Sequence, residues 1–76
     1  MARAYLRIKV EMGKERAVLD ALLRFDEIKS VDLTTGDQDL LALIEADSYE
    51  DILLAVVDRL RTLKGIEHTV TDLVLE

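Results

Sequence analysis

Residues 28–46, IKSVDLTTGDQDLLALIEA, contain two strand-like runs separated by a turn. Residues 28–35 alternate between polar and apolar side chains, which is the period-two pattern of a strand with one buried face. Residues 40–46 are almost continuously apolar. Periodicity alone also permits a helix there, but the short length and the flanking turns favour a strand that is covered on both faces. Residues 36–39 join the two runs, so the stretch predicts a β-hairpin.

Two more strands are predicted on either side of this hairpin. Residues 4–11 alternate, with Leu6, Ile8 and Val10 on the side that faces the core. Residues 66–75 form the last strand, and neither of its sides is fully polar. One side carries His68, Val70, Asp72 and Val74, and the other carries Thr69, Thr71, Leu73 and Leu75.

The two segments between these strands have a helical period. After Gly13, residues 14–25 place apolar side chains at helical spacing. Ser48 opens the second helix with Asp51 three residues later, which is the spacing of a capping box, and Gly65 is the expected stop. The positions predicted to be buried are Ala17, Val18, Ala21 and Leu22 in the first helix, and Ile52, Leu53, Val56, Val57, Leu60 and Leu63 in the second.

The predicted order of elements is therefore β-α-β-β-α-β. A hairpin between two right-handed βα units indicates an α+β fold, the ferredoxin-like sandwich, in which two helices cover one face of a four-stranded antiparallel sheet. We expect residues 1–76 to form this single domain, with the strand at 28–35 and the last strand at opposite edges. The uncovered sheet face is half apolar, which predicts that a second copy covers it in a face-to-face dimer.

Size and composition narrow the class of protein. The chain has 76 residues, of which 50% are hydrophobic and 34% are charged. A domain this small is marginally stable alone, and the sequence has no cysteine and one histidine, so oligomerisation is the expected source of further stability. The net charge of −6 argues against direct nucleic-acid binding. Without a bilayer-length apolar run or a signal sequence, we expect a cytoplasmic protein and no membrane partner.

Few residues have a type and spacing that suggest chemistry. His68 could serve as a general base, but no nearby serine or cysteine marks a nucleophile, so a structural histidine on the open sheet face is favoured. Asp37 and Asp39 are spaced as calcium ligands can be, yet the loop is shorter than an EF-hand and lacks its later ligands. Turn stabilisation and a polar contact to a ligand both remain open for these two carboxylates.

Gly36 and two threonines complete the candidate residues. Gly36 fits a position that needs a positive φ, or one where backbone amides approach a ligand carboxylate. Thr69 and Thr71 suit a strand by propensity alone. Their hydroxyls would serve binding only if they met the turn at Gly36. Because the two segments belong to opposite edge strands, such a meeting requires a neighbouring subunit.

Residues 35–43, TGDQDLLAL, and residues 65–75, GIEHTVTDLVL, resemble the regulatory domain of the Lrp/AsnC family of transcription regulators. This module is also called the RAM domain, for regulation of amino-acid metabolism. The family pattern is a glycine-acid-x-acid turn that leads into an apolar strand, then an acidic-capped helix, and finally a Thr-x-Thr segment. The resemblance covers essentially the whole chain, including residues 13–15 before the first helix. Gln38 departs from the aromatic or hydrophobic residue often found between the two acids.

The resemblance implies a non-enzymatic module that binds a small amino acid and assembles through its sheets. Family members form dimers that associate further, commonly as a ring of four dimers, and the effector lies between dimers. Carried over to this sequence, Gly36, Asp37 and Asp39 of one subunit and Thr69 and Thr71 of another bind the ligand. Amides near Gly36 would take the carboxylate, and Asp37 or Asp39 would take the ammonium group. No catalytic residue, metal or cofactor is expected.

Full-length members of the family carry an N-terminal helix-turn-helix domain. Because Tyr5 already belongs to the first strand here, we expect a stand-alone module that acts by mixing with full-length relatives. Two other functions stay open. One is a purely structural assembly module without a ligand. The other is a small dimeric ferredoxin-like oxygenase, which would need a polar cluster between helices and sheet, where this sequence is almost entirely aliphatic.

Overall fold

A computed structural model of the chain describes residues 1–36 and 39–75. Asp37, Gln38, Glu76 and the side chain of Val57 lie outside the described part, and with them the predicted ligand contact of Asp37 and the predicted burial of Val57. The described elements follow the predicted order. They are β1 (Ala2–Val10), α1 (Glu15–Leu22), β2 (Ile28–Leu33), β3 (Leu40–Ala46), α2 (Tyr49–Asp58), a 3-10 turn (Leu60–Thr62) and β4 (Ile66–Val74).

The four described strands form one antiparallel sheet in the order β2-β3-β1-β4. The ferredoxin-like α+β sandwich is thereby confirmed, as is the placement of β2 and β4 at opposite edges. In the middle of the sheet, Ile8 of β1 pairs with Leu40 of β3 on one side and with Thr69 of β4 on the other. The start of β3 and the threonine segment of β4 therefore lie in one row, about 10 Å apart across two strand spacings.

The core fills the space between the sheet and the two described helices. Every second residue of β1 is buried, and so are the matching residues of β3, which confirms the predicted inward side of β1. No polar side chain among the described residues belongs to this core. The buried residues with the largest side chains are Leu6, Ile8, Leu22, Leu40, Ile44, Ile52, Leu60 and Val18.

Two predicted core positions on the helices are wrong. Ala17 is exposed, whereas Leu19 is buried beside Val18 and Leu22. A helix turns about 100° per residue, so a stripe centred between Val18 and Leu19 leaves position 17 on the far side. Burying the leucine removes more apolar surface from water than burying an alanine, and this sets the rotation of α1.

The same geometry applies to α2. Leu53 is 45% exposed, and Ala55 takes the predicted place of Leu53 in the core next to Ile52 and Val56. The helix also ends earlier than predicted, at Asp58, and a 3-10 turn follows instead of a continuous helix up to Leu63. Leu60 stays buried in that turn.

The helix start predicted at Ser48 is confirmed, whereas α2 ends well before Gly65, the predicted stop. The hydroxyl of Ser48 accepts a hydrogen bond of 3.1 Å from the backbone N–H of Asp51 at the start of α2. Gly65 has a φ of +97°, a conformation that favours glycine, and its carbonyl accepts a 2.7 Å hydrogen bond from the N–H of Glu11. This bond holds the end of β1 against the start of β4.

The strand register defines the residues of the uncovered sheet face. On β4 this face carries His68, Val70, Asp72 and Val74, whereas Thr69 and Thr71 are on the helix side. Arg7 and Asp72 form an ion pair of 3.1 Å across β1 and β4. The half-buried Leu41 and Leu43 of β3 lie on the same face. The uncovered face is therefore a mixture of apolar side chains and charges of both signs. The remaining members of this face are Arg3, Tyr5, Lys9, Ser30, Asp32 and Glu45.

Candidate functional site

The connection between β2 and β3 is fastened to the sheet through Asp39. Its carbonyl accepts a hydrogen bond from the N–H of Thr34, and its own N–H donates to the carbonyl of Ile8, each at 2.9 Å. The side chain also takes part, because Oδ2 accepts a 3.0 Å hydrogen bond from the N–H of Val10. One carboxylate oxygen of Asp39 is thus already engaged in holding the turn to the end of β1.

Gly36 is exposed, and no contact in the described part of the chain requires a glycine there. Among the described residues, the glycines with a positive φ are Gly13 and Gly65. Gly36 therefore does not supply a positive φ, which was one of its two predicted roles. A Cβ built at Gly36 would meet no heavy atom within 4 Å in the described structure. A side chain that begins at this position therefore meets no described atom at its Cβ.

Thr69 and Thr71 lie on a surface groove of about 420 Å³ between β4 and α2, which we call the β4 groove. Both threonines are half-buried, as expected for residues on the helix side of an edge strand. The groove combines aliphatic, hydroxyl and charged side chains. Its lining residues are Leu53, Val56, Arg61, Ile66, Glu67, His68, Thr69 and Thr71.

A second, smaller groove lies beside Asp39, which we call the turn groove. It has a volume of about 300 Å³ and is lined by Lys9, Val10, Met12, Glu15, Asp39 and Glu67. Within one chain, the structure therefore brings Thr69 and Thr71 together but places Asp39 in a different groove. Glu67 is the residue that lines both.

Glu67 reaches this position through a β-bulge. Lys9 pairs with His68, and the next residue, Val10, pairs with Ile66. Glu67 therefore has no partner residue on β1. Such bulges redirect a side chain. Glu67 and Arg61 were not predicted from the sequence, because the alternation of polar and apolar residues does not reveal a bulge and α2 ends earlier than its pattern indicates.

His68 is exposed and pairs with Lys9 on the uncovered sheet face, as the structural interpretation predicted. It borders the β4 groove at the molecular surface. The pocket that would favour an oxygenase, deep between helices and sheet, is occupied in the described structure by the aliphatic core. In residues 1–36 and 39–75, no group of three His, Asp or Glu side chains is arranged to hold a metal ion. No described helix has the length and apolar character needed to cross a membrane.

A further surface groove of about 520 Å³ shares no lining residue with these two grooves. One of its walls is formed by Arg59, which donates a 2.6 Å hydrogen bond to Glu27 Oε2 and lies 5.2 Å from the centre of the Phe25 ring. The hydrogen bond from Arg59, together with a backbone hydrogen bond, lowers the pKa of Glu27 below its ordinary value of 4.5. This cluster joins the end of α2 to the start of β2 and contributes no residue to the predicted site.

The sequence of this chain is similar to those of known transcription regulators. A sequence model described as the Lrp/AsnC ligand binding domain matches residues 3–76. The HTH-type transcriptional regulator FL11 of Pyrococcus abyssi is 36% identical over 73 residues, which are 96% of this chain and 48% of the regulator. The chain thus spans about half the length of this curated relative.

Two solved structures extend the comparison. A hypothetical protein, PHS023 from Pyrococcus horikoshii, has a TM-score of 0.93 and 28% identity, with 100% of this chain and 92% of that chain covered. The transcriptional regulator NMB0573 from Neisseria meningitidis was solved as a complex with L-Met. It has a TM-score of 0.87 and 22% identity, with 99% of this chain and 50% of that chain covered, and so shows the shared fold. From its sequence match and its fold, the chain belongs to the Lrp/AsnC family, whose ligand-binding domain it contains.

Proposed function

We propose that the chain is a non-enzymatic amino-acid-sensing and oligomerisation module that modulates transcription regulators of its family. The observation that carries this proposal is the match of the ligand-binding domain over residues 3–76. The curated relative is a transcription regulator, and one structural neighbour binds L-Met, which supports a small amino acid as the effector. Full-length relatives are the proposed partners, joined through the same sheet face that pairs two copies of this chain.

The proposed site lies between dimers. The turn with Gly36, Asp37 and Asp39 comes from one subunit, and Thr69 and Thr71 come from another. Two features support this arrangement. Asp39 and the threonines line different grooves of the same chain, so a neighbouring copy is needed to place the turn over the β4 groove. The open space at Gly36 is also what a ligand or a neighbouring subunit would need for close approach.

A screen of the twenty amino acids by thermal shift, with native mass measured by light scattering, tests the proposal. An amino acid that binds the folded assembly raises Tm by mass action. We expect a shift with one or a few amino acids and a mass above that of a dimer. A stable oligomer that responds to none of them would favour the structural assembly module instead.

The variant Gly36→Val tests the location of the site. The Cβ of the valine meets no described atom of the chain, and its two methyl groups add bulk where a ligand would approach. We expect the same Tm as the unchanged chain in the absence of ligand, and no amino-acid response. Isothermal titration calorimetry of both chains measures this. Unchanged binding by the variant would remove Gly36 from the site.

A further inference from the structure

The β4 groove contains the guanidinium group of Arg61, which forms no ion pair with another described residue. Arg61 is exposed in the 3-10 turn that follows α2, and it lines the groove together with both threonines. Among the described residues, the ion pairs are Arg7 with Asp72 and Arg59 with Glu27. The guanidinium group of Arg61 is therefore available to an anion that enters the groove.

The same groove also contains an available carboxylate. Glu67 is exposed, takes part in neither of those two ion pairs, and is the extra residue of the β-bulge. The groove also has aliphatic walls, formed by Leu53, Val56 and Ile66. A volume of about 420 Å³ is also within the range of ligand pockets, about 300–1,000 Å³.

These groups correspond to the parts of an α-amino acid. A guanidinium binds a carboxylate with two parallel hydrogen bonds, a carboxylate binds an ammonium group, and aliphatic walls accept an uncharged side chain. Asp39 is less suitable as the ammonium partner because its Oδ2 already accepts the hydrogen bond of Val10. The charges on the β4 side therefore specify an orientation for the ligand.

We propose that Arg61 binds the α-carboxylate and Glu67 the α-ammonium group of an amino acid with an aliphatic side chain. This inference rests on the proposed function and names the charge-recognising residues of that site. The hydroxyl groups of Thr69 and Thr71 line the same groove and are within reach of the polar groups of such a ligand. The orientation differs from the one implied by the family resemblance, in which the turn itself takes both charges.

Calorimetry with L-leucine, L-leucinamide and N-acetyl-L-leucine tests each charge separately. For Arg61→Gln we expect about a tenfold or larger loss of affinity for L-leucine, since a charged hydrogen-bonded pair is removed. Because leucinamide lacks the carboxylate, Arg61→Gln should bind it as well as the unchanged chain does. Glu67→Gln should likewise lose affinity for L-leucine and not for N-acetyl-L-leucine.

Arg16→Gln and Asp20→Asn are the matched controls. They make the same changes of charge on exposed positions of α1 that line neither groove, and should leave L-leucine binding unchanged. If the unchanged chain binds L-leucine and Arg61→Gln binds it equally well, the inference is wrong and the proposed function stands. The same holds if the chain binds only charged amino acids. If it binds no amino acid, both fail.

Discussion

Asp39 shows how one residue can serve the fold in a place where sequence alone suggests a ligand contact. Its Oδ2 accepts a hydrogen bond from the backbone N–H of Val10, where β1 ends beside the bulge in β4. A carboxylate in a turn is expected to stabilise its own neighbourhood, but here the partner is 29 residues away in the sequence. The bond therefore connects the turn to the strand that separates it from the β4 groove.

The variants Asp39→Ala and Asp39→Asn separate the two roles of this residue. Alanine leaves the part-buried N–H of Val10 without its acceptor, which should lower the free energy of unfolding by about 1–2 kcal/mol. Asparagine retains an acceptor oxygen and should cost less than about 0.5 kcal/mol. Urea denaturation at equal protein concentration measures both values. Because Glu67 is the proposed ammonium partner, Asp39→Asn should keep its affinity for L-leucine. A large loss would return that role to Asp39.

At the scale of elements, Gly65 fixes how the 3-10 turn leads into β4. Its positive φ reverses the chain direction, and α1 lies directly against it. An added Cβ would lie 3.0 Å from Val18 Cγ2 and 3.1 Å from Lys14 Cβ. Both the backbone conformation and the packing of α1 therefore depend on the absence of a side chain. The position of Arg61 relative to the threonines depends on the same short connection.

Gly65→Ala should destabilise the chain by about 1–3 kcal/mol, from left-handed backbone strain together with displacement of Val18 or Lys14. Gly36→Ala is the control, since it combines an ordinary φ with open space and should change the free energy of unfolding by less than about 0.5 kcal/mol. Chemical denaturation of both variants under one set of conditions gives the comparison. Equal stability of the two would contradict the importance of the Gly65 conformation.

The sequence predicted elements whose local pattern is unambiguous. The apolar run at residues 40–46 is β3 with the same bounds, because flanking turns define both of its ends. The end of α2 was not predictable, since Arg59 and Arg61 are good helix formers and the apolar spacing continues to Leu63. Tertiary packing of Leu60 in a 3-10 turn determines the outcome there.

The candidate site was predictable only in part, for the same physical reason. The turn and the threonine segment are each a continuous stretch of sequence, so a family resemblance can locate each of them. Arg61 and Glu67 enter the β4 groove through a change of helix type and a bulge, which depend on contacts between distant strands. Neither the 3-10 turn nor the β-bulge produces a periodic pattern of apolar residues in the sequence. The separation of Asp39 from the threonines likewise follows from the strand register, which only the assembled sheet specifies.

At the scale of the whole molecule, one face of the sheet is covered and the other is not. Leu41, Leu43, Val70 and Val74 give the uncovered face an apolar component, and Arg7 with Asp72 provides charges that a copy can match. The described core is formed on one side only, and such a small domain buries a limited share of its surface alone. Pairing of two sheet faces would add a second apolar layer, as proposed for the dimer.

Leu43→Asp tests this pairing. Leu43 lies opposite Tyr5 of β1 and Ser30 of β2 on the uncovered face, near its centre. In a sheet-to-sheet dimer, the variant would bury a carboxylate on each side of the interface, at a cost of several kcal/mol per ion. We expect a lower native mass by light scattering and a Tm that no longer rises with protein concentration.

Leu23→Asp provides the control for this experiment. Leu23 is 52% exposed at the end of α1, on the opposite side of the molecule from the uncovered face. The substitution introduces the same charge, so its native mass should equal that of the unchanged chain. If Leu43→Asp also keeps that mass, the sheet face is not the interface. Because the ligand is proposed to bind between dimers, loss of the dimer should also abolish the amino-acid-induced rise in Tm. A retained rise in a monomer would instead place the whole binding site within one chain.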